Sequence, residues 1–78
     1  MTAYQKGLRK IDAIIATAER SIAKRGQREN YPYDQQDKLE HYLNGLDLTY
    51  AEKCLLRSEF YHRCAGLTPR RSILEGRR

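Results

Sequence analysis

The sequence predicts an all-α fold, a three-helix bundle followed by a short fourth C-terminal helix or turn. Apolar residues recur at spacings of three and four, glycines follow where these patterns stop, and no stretch alternates as a β-strand does. A chain of 78 residues has room for one hydrophobic core, so we expect a single domain over residues 1–78. The predicted helices cover roughly residues 2–25, 35–44, 50–65 and 69–75.

The first helix carries the clearest pattern in the chain. One narrow stripe on a helix contains Tyr4, Leu8, Ile11, Ile15, Ala18 and Ile22. Gly26 supplies the expected stop, and Gly7 should weaken the first turns by about 1 kcal/mol relative to alanine. The stripe has coiled-coil spacing, which is compatible with a homodimer, although packing within one bundle satisfies it as well.

The second and third helices are bounded by capping signals. Asp34 is placed to cap the second helix, after a loop in which Pro32 pushes Tyr31 into an extended conformation. Thr49 and Glu52 fit a capping box at the start of the third helix. The third helix is apolar nearly all round, which predicts that it lies at the centre of the bundle.

The positions of the cysteines and tyrosines predict that the cysteines do not form a disulfide and that several tyrosines lie at the edge of the core. Cys54 and Cys64 lie ten residues apart in one helix, about 15 Å at helical rise, which is too far for a disulfide. We therefore expect two buried thiols in a cytoplasmic protein, and no apolar run is long enough for a membrane segment. Tyrosines predicted at the core edge are Tyr4, Tyr42, Tyr50 and Tyr61.

The net charge of +5 is unevenly distributed. Residues 1–30 contain seven Lys/Arg against three acids, residues 31–49 contain one against four, and residues 67–78 contain four against one. On the first helix, five cations fall within an arc of about 100° opposite the apolar stripe. These cations are Lys6, Arg9, Lys10, Arg20 and Lys24. Such a face suits phosphates or an acidic protein surface, and a solvated helix face is the alternative interpretation.

The C-terminal segment has two interpretations. Thr68 and Pro69 fit the N-cap and first position of a short helix. The tetrapeptide Thr68-Pro69-Arg70-Arg71 also resembles the Ser/Thr-Pro-basic-basic turn of histone tails, a resemblance that implies contact with the DNA minor groove. Both interpretations expose Arg70 and Arg71. Tyr31 and Tyr33, if both are exposed, would form a stacking or docking platform beside the basic residues.

The sequence contains few candidate catalytic or metal-binding residues. Asp37 and His41 could form half of a metal site, but no second pair of ligands accompanies them. No phosphate-binding glycine loop and no nucleophile–base arrangement is visible, so we expect no catalytic, cofactor or metal site. A helix-turn-helix over residues 37–56 is disfavoured because Glu40 and His41 occupy positions where small or apolar packing residues are expected.

The leading hypothesis is a small regulatory protein that binds DNA or RNA without catalysis, through the first helix and the C-terminal arginines. The alternative is an adaptor or inhibitor that docks onto a larger nucleic-acid-handling machine. A metal-assisted enzyme is a third, weaker hypothesis. Small basic helical proteins of phages and plasmids have a similar general character, although no motif carries that similarity.

Overall fold

The computed structural model describes residues 1–67, and its secondary structure there is entirely helical. Helix α1 spans Ala3–Arg25, a 3-10 turn spans Tyr33–Gln35, α2 spans Gln36–Asn44 and α3 spans Tyr50–Leu67. The all-α class predicted from the sequence is confirmed. The predicted fourth helix lies outside the described residues.

Helix α1 begins at a capping box, formed by Thr2 and Gln5, that is not among the sequence predictions. The Gln5 backbone N–H donates to Thr2 Oγ1 at 3.1 Å, and the Thr2 N–H donates to Gln5 Oε1 at 3.0 Å. The helix ends at Gly26, whose φ of 84° is accessible to glycine at little cost. Ile11 and Ala18 of the apolar stripe are buried, and its other members are half-buried, so the stripe lies against the core.

The start of α2 differs from the prediction. Its N-cap residue is Gln35, with no side-chain cap, and the Asp34 carboxylate instead accepts from Gln35 Nε2 at 3.2 Å. The predicted Asp34 cap is wrong because the 3-10 turn runs directly into α2, leaving no extended residue at the helix start. The turn is anchored by Pro32, whose side chain is fully buried.

Helix α3 begins at the predicted capping box. The Glu52 N–H donates to Thr49 Oγ1 at 3.1 Å, and the Thr49 N–H donates to Glu52 Oε1 at 3.0 Å. Leu56, Phe60 and Cys64 face the core, one helical turn apart, and all three are fully buried.

Only one face of α3 is buried, so its predicted central position is wrong. Both α2 and α3 pack against α1, so α1 is the helix that lies between the other two in the core. The second apolar face of α3 is open to solvent: Tyr50 is 78% exposed, Leu55 is 58% exposed and Cys54 is exposed. The prediction that Tyr50 lies at the core edge is therefore wrong. The prediction that both thiols are buried is wrong for Cys54 and confirmed for Cys64.

Gly7 lies where α1 meets the other two helices. A Cβ added there would stand 2.6 Å from Leu56 Cδ1 and 3.2 Å from Leu43 Cδ2. Leucines from α2 and α3 thus fill the space that any larger residue on α1 would occupy. Helix propensity alone makes Gly7 a weak point of the helix, whereas the structure gives it a packing role.

Ion pairs join α3 to both neighbours. Arg57 holds Glu40 of α2 through two hydrogen bonds, Nε to Oε2 at 2.5 Å and Nη2 to Oε1 at 2.8 Å. These bonds lower the pKa of the Glu40 carboxyl, partly offset by burial. Arg63 bonds to Glu59 on its own helix and to Asp12 on α1. The acidic side chain at position 40 is therefore structural, with its charge already matched.

Candidate binding surface

The five cations predicted on α1 lie on one side of the helix, and we call them the basic face. Lys6, Arg9, Arg20 and Lys24 are exposed, and Lys10 is half-buried. They lie there because the apolar stripe turns the opposite side of α1 to the core, with α3 on the flank that carries Asp12 and α2 on the flank that carries Lys10.

Carboxylates do not neutralise the basic face within residues 1–67. The ion pairs of this region use Arg57 and Arg63 as their cations, both on α3. Arg20 makes only a long contact, 3.5 Å from Nη2 to Thr17 Oγ1. Of the two acids on the flank of α1, Asp12 is paired with Arg63, and Glu19 is exposed beside Arg20 in the sequence. The five cations therefore extend over about 27 Å, the helical rise from Lys6 to Lys24, without an ion pair in this part of the chain.

A shallow groove runs beside the basic face, between α1 and the start of α2. Its walls include Lys10 and Thr17 from α1 and Tyr31, Gln35 and Lys38 from the other side. Lys38 thus adds a sixth cation close to the basic face. Sequence reasoning missed it because Lys38 lies within the acidic segment of the chain, and only the packing of α2 against α1 brings it to Lys10.

Aromatic rings lie beside two cations of this region, Lys10 and Arg28. The Lys10 Nζ atom lies 5.3 Å from the centre of the Tyr42 ring, and the Arg28 guanidinium carbon lies 4.0 Å from the centre of the Tyr31 ring. Both are within cation–π distance. Arg28 also donates to Ser21 Oγ at 2.7 Å, so its side chain lies back along the end of α1. Arg28 was not predicted as a site residue.

Tyr31 and Tyr33 do not form a shared platform. Both are half-buried, and Tyr33 packs on the core and stacks against Tyr61 of α3, with ring centres 6.0 Å apart. Tyr31 lies on the groove side, partly covered by Arg28. The condition for a platform, exposure of both rings, is therefore not met, and the buried Pro32 lies between two rings that contact different neighbours.

The remaining predicted site residues, Arg70 and Arg71, lie outside the described residues. Within residues 1–67, no three His, Cys, Asp or Glu side chains are grouped closely enough to hold a metal ion. Asp37 and His41 line a second shallow groove with Lys10, Lys38 and Tyr42.

The two thiols differ in environment. Burial, with a smaller contribution from the charge of Asp34, raises the pKa of the Cys64 thiol to about 11. A thiol with that pKa stays protonated at neutral pH and is a poor nucleophile. Cys54, in contrast, is exposed on the outer side of α3.

None of the helices within residues 1–67 is both long enough and apolar enough to span a lipid bilayer. In comparisons with protein-family models, curated proteins and solved structures, nothing matches this chain. Any functional argument therefore rests on the surfaces described above.

Proposed function

We propose that this protein is a small non-catalytic regulatory protein that binds nucleic acid through the basic face of α1. The observation that carries the proposal is the absence of carboxylate partners for these five cations among residues 1–67. Cations that serve only to keep a helix solvated are commonly interspersed with acids, which here lie on the flank or in ion pairs.

The size and shape of the basic face fit a nucleic acid backbone. A straight helix about 27 Å long can follow several consecutive phosphates, and each lysine or arginine that neutralises one releases condensed counterions. Lys38 widens this surface toward the groove. A nucleic acid strand that follows α1 past Lys10 would therefore also reach Lys38 and Tyr31. The C-terminal arginines Arg70 and Arg71 would add phosphate contacts.

The contacts proposed here carry no sequence information. Lysine and arginine bonds to phosphate position a protein on nucleic acid, whereas specificity requires contacts to base edges or to sequence-dependent shape. We therefore expect binding to DNA or RNA with little dependence on base sequence. The alternative occupant of the same surface is an acidic face of a larger protein, for which this chain would be an adaptor or inhibitor.

Fluorescence anisotropy with labelled duplex and single-stranded oligonucleotides of mixed sequence, at low salt, tests the proposal. Arg9→Gln and Arg20→Gln should each weaken binding, and the double reversal Arg9→Glu/Arg20→Glu should abolish it. The helical circular dichroism signal should not change, because both side chains face away from the core. Each lost contact should reduce the salt dependence of binding by about one unit of slope.

Lys53→Gln is the matched control. It also removes one positive charge, but Lys53 lies on α3, where its Nζ atom contacts Asn44 Oδ1 at 3.5 Å. If Lys53→Gln weakens binding as much as Arg9→Gln, the attraction is due to net charge and the basic face is not the site. If the wild-type protein is not retained on DNA or RNA at low salt, the nucleic-acid proposal is wrong. Charge reversals that then slow association with an acidic protein would support the alternative.

A further inference from the structure

The outer side of α3 is an exposed helix surface without a charged residue. Nine residues between Tyr50 and Gly66 are exposed, and none of them is Lys, Arg, Asp or Glu. They include large groups, with Tyr50 78%, Leu55 58% and Tyr61 40% exposed. Small residues lie along the centre line of the face, at Ala51 and at Ser58. We call this surface the outer face of α3.

The charged residues of α3 lie at the borders of this face and are half-buried. Arg57 is paired with Glu40, Arg63 is paired with Glu59 and Asp12, and Glu52 caps its own helix. This arrangement inverts the usual one, in which charged side chains cover the solvent side of a surface helix. The face is uncharged and partly apolar, with Ser58 and His62 among its exposed residues, and exposed apolar groups such as Tyr50 and Leu55 make it a candidate interaction site.

We infer that the outer face of α3 binds a second copy of this chain, forming a symmetric dimer through α3–α3 packing. Charge is the first reason. In a symmetric dimer each surface meets its own copy, so the basic face of α1 would meet cations and the acidic segment 31–49 would meet acids. The outer face has no charged residue, and the arginines on its borders already hold carboxylates of their own chain. Two copies therefore meet here with the least repulsion.

The layout of the face is the second reason. Ser58 lies midway along the exposed stretch, so a two-fold axis at Ser58 pairs each part of the face with an equally exposed, uncharged part of its copy. Small side chains at Ala51 and Ser58 allow the two helix backbones to approach closely. Tyr50 and Leu55, on the flanks, can then close over the contact, beside the Tyr61 ring, which stays stacked on Tyr33.

The size of the core is the third reason. Seven side chains form the buried hydrophobic core within residues 1–67, and chains of this length commonly gain stability from a partner subunit. The footprint of α3, about 24 Å by 10 Å, is below the roughly 800 Å² per partner of a typical stable complex. The dimer should therefore be weak and depend on protein concentration. It leaves the basic face of α1 uncovered and does not depend on the function proposed above.

Sedimentation equilibrium over a wide range of protein concentration tests this inference without nucleic acid. The wild type should shift from a 9.2 kDa species toward twice that mass as concentration rises. Leu55→Glu places a charge in the contact and should raise the dissociation constant at least about tenfold. Ala23→Glu is the matched control, because it adds the same charge at an exposed position of α1 and should change nothing.

Cysteine cross-linking provides a second, independent measurement. In a Cys54→Ser background, Ser58→Cys should form disulfide-linked dimers under mild oxidation, since position 58 meets its own copy. Ala23→Cys in the same background reports random collisions and should cross-link much more slowly. A wild type that remains monomeric at every concentration, or equal rates for the two cysteine variants, would overturn the inference and leave the face to a different protein.

Discussion

Replacing Gly7 with alanine brings two effects into opposition. Alanine is favoured over glycine in a helix interior by about 1 kcal/mol, so sequence alone predicts that the change stabilises α1. The new methyl group, however, would stand 2.6 Å from Leu56 Cδ1 and 3.2 Å from Leu43 Cδ2. Both leucines are fully buried and cannot swing into solvent.

Overpacking a core in this way costs about 1–3 kcal/mol, which equals or exceeds the gain in helix propensity. We expect Gly7→Ala to lower the free energy of unfolding by about 0–2 kcal/mol, the difference between the two effects. Gly7→Val should lower it further, because valine is larger and a weaker helix former. Urea denaturation of dilute protein, followed by circular dichroism, measures both changes.

Gly66→Ala is the control for helix propensity. Gly66 is part of α3, and within residues 1–67 no atom outside the helix backbone and its two chain neighbours lies within 4 Å of a Cβ added there. That variant should be more stable than the wild type, by up to about 1 kcal/mol. If Gly7→Ala stabilises the protein as much as Gly66→Ala does, the close approach of α1 to α2 and α3 is wrong.

Four further predictions test the core, the two thiols and the Glu40 ion pair. Phe60→Ala should cost about 3–5 kcal/mol, whereas the exposed Tyr50→Ala should change the free energy of unfolding by no more than about 0.5 kcal/mol. A thiol reagent should label Cys54 in the folded protein and Cys64 only on unfolding. Because the folded state keeps the Cys64 thiol protonated up to about pH 11, stability should fall as the pH rises from 9, less steeply in Cys64→Ala. Glu40→Gln should lower the melting temperature at neutral pH. That difference should shrink as the pH falls below 4.5 and the wild-type carboxylate, held by its arginine, becomes protonated.

The features that local sequence predicts well are those that depend on neighbouring residues. The apolar stripe of α1, the glycine at its end and the capping box at Thr49 are each set by side chains within one or two helical turns. The cations of the basic face were found for the same reason, since helical periodicity alone places them opposite the stripe.

Features that depend on packing between helices could not be predicted in this way. Gly7 is needed because of two leucines that follow it by more than 35 residues, and Lys38 reaches the basic face only through the fold. The apolar residues of α3 predicted burial on all sides, because a sequence pattern does not distinguish a face that packs within the chain from one left open, such as that of Leu55.

The salt dependence of nucleic acid binding tests the central claim most directly. If all five cations of the basic face neutralise phosphates of a duplex, they alone contribute about −4.5 to the slope of log Kobs against log salt concentration, and contacts from Lys38, Arg70 and Arg71 make it steeper. Replacing Arg9 and Arg20 with Gln should make the slope less steep by about 1.8, at about 0.9 per contact. A slope near zero for the wild-type protein, or an unchanged slope in the Arg9→Gln/Arg20→Gln variant, would contradict the assignment of this face to phosphate binding.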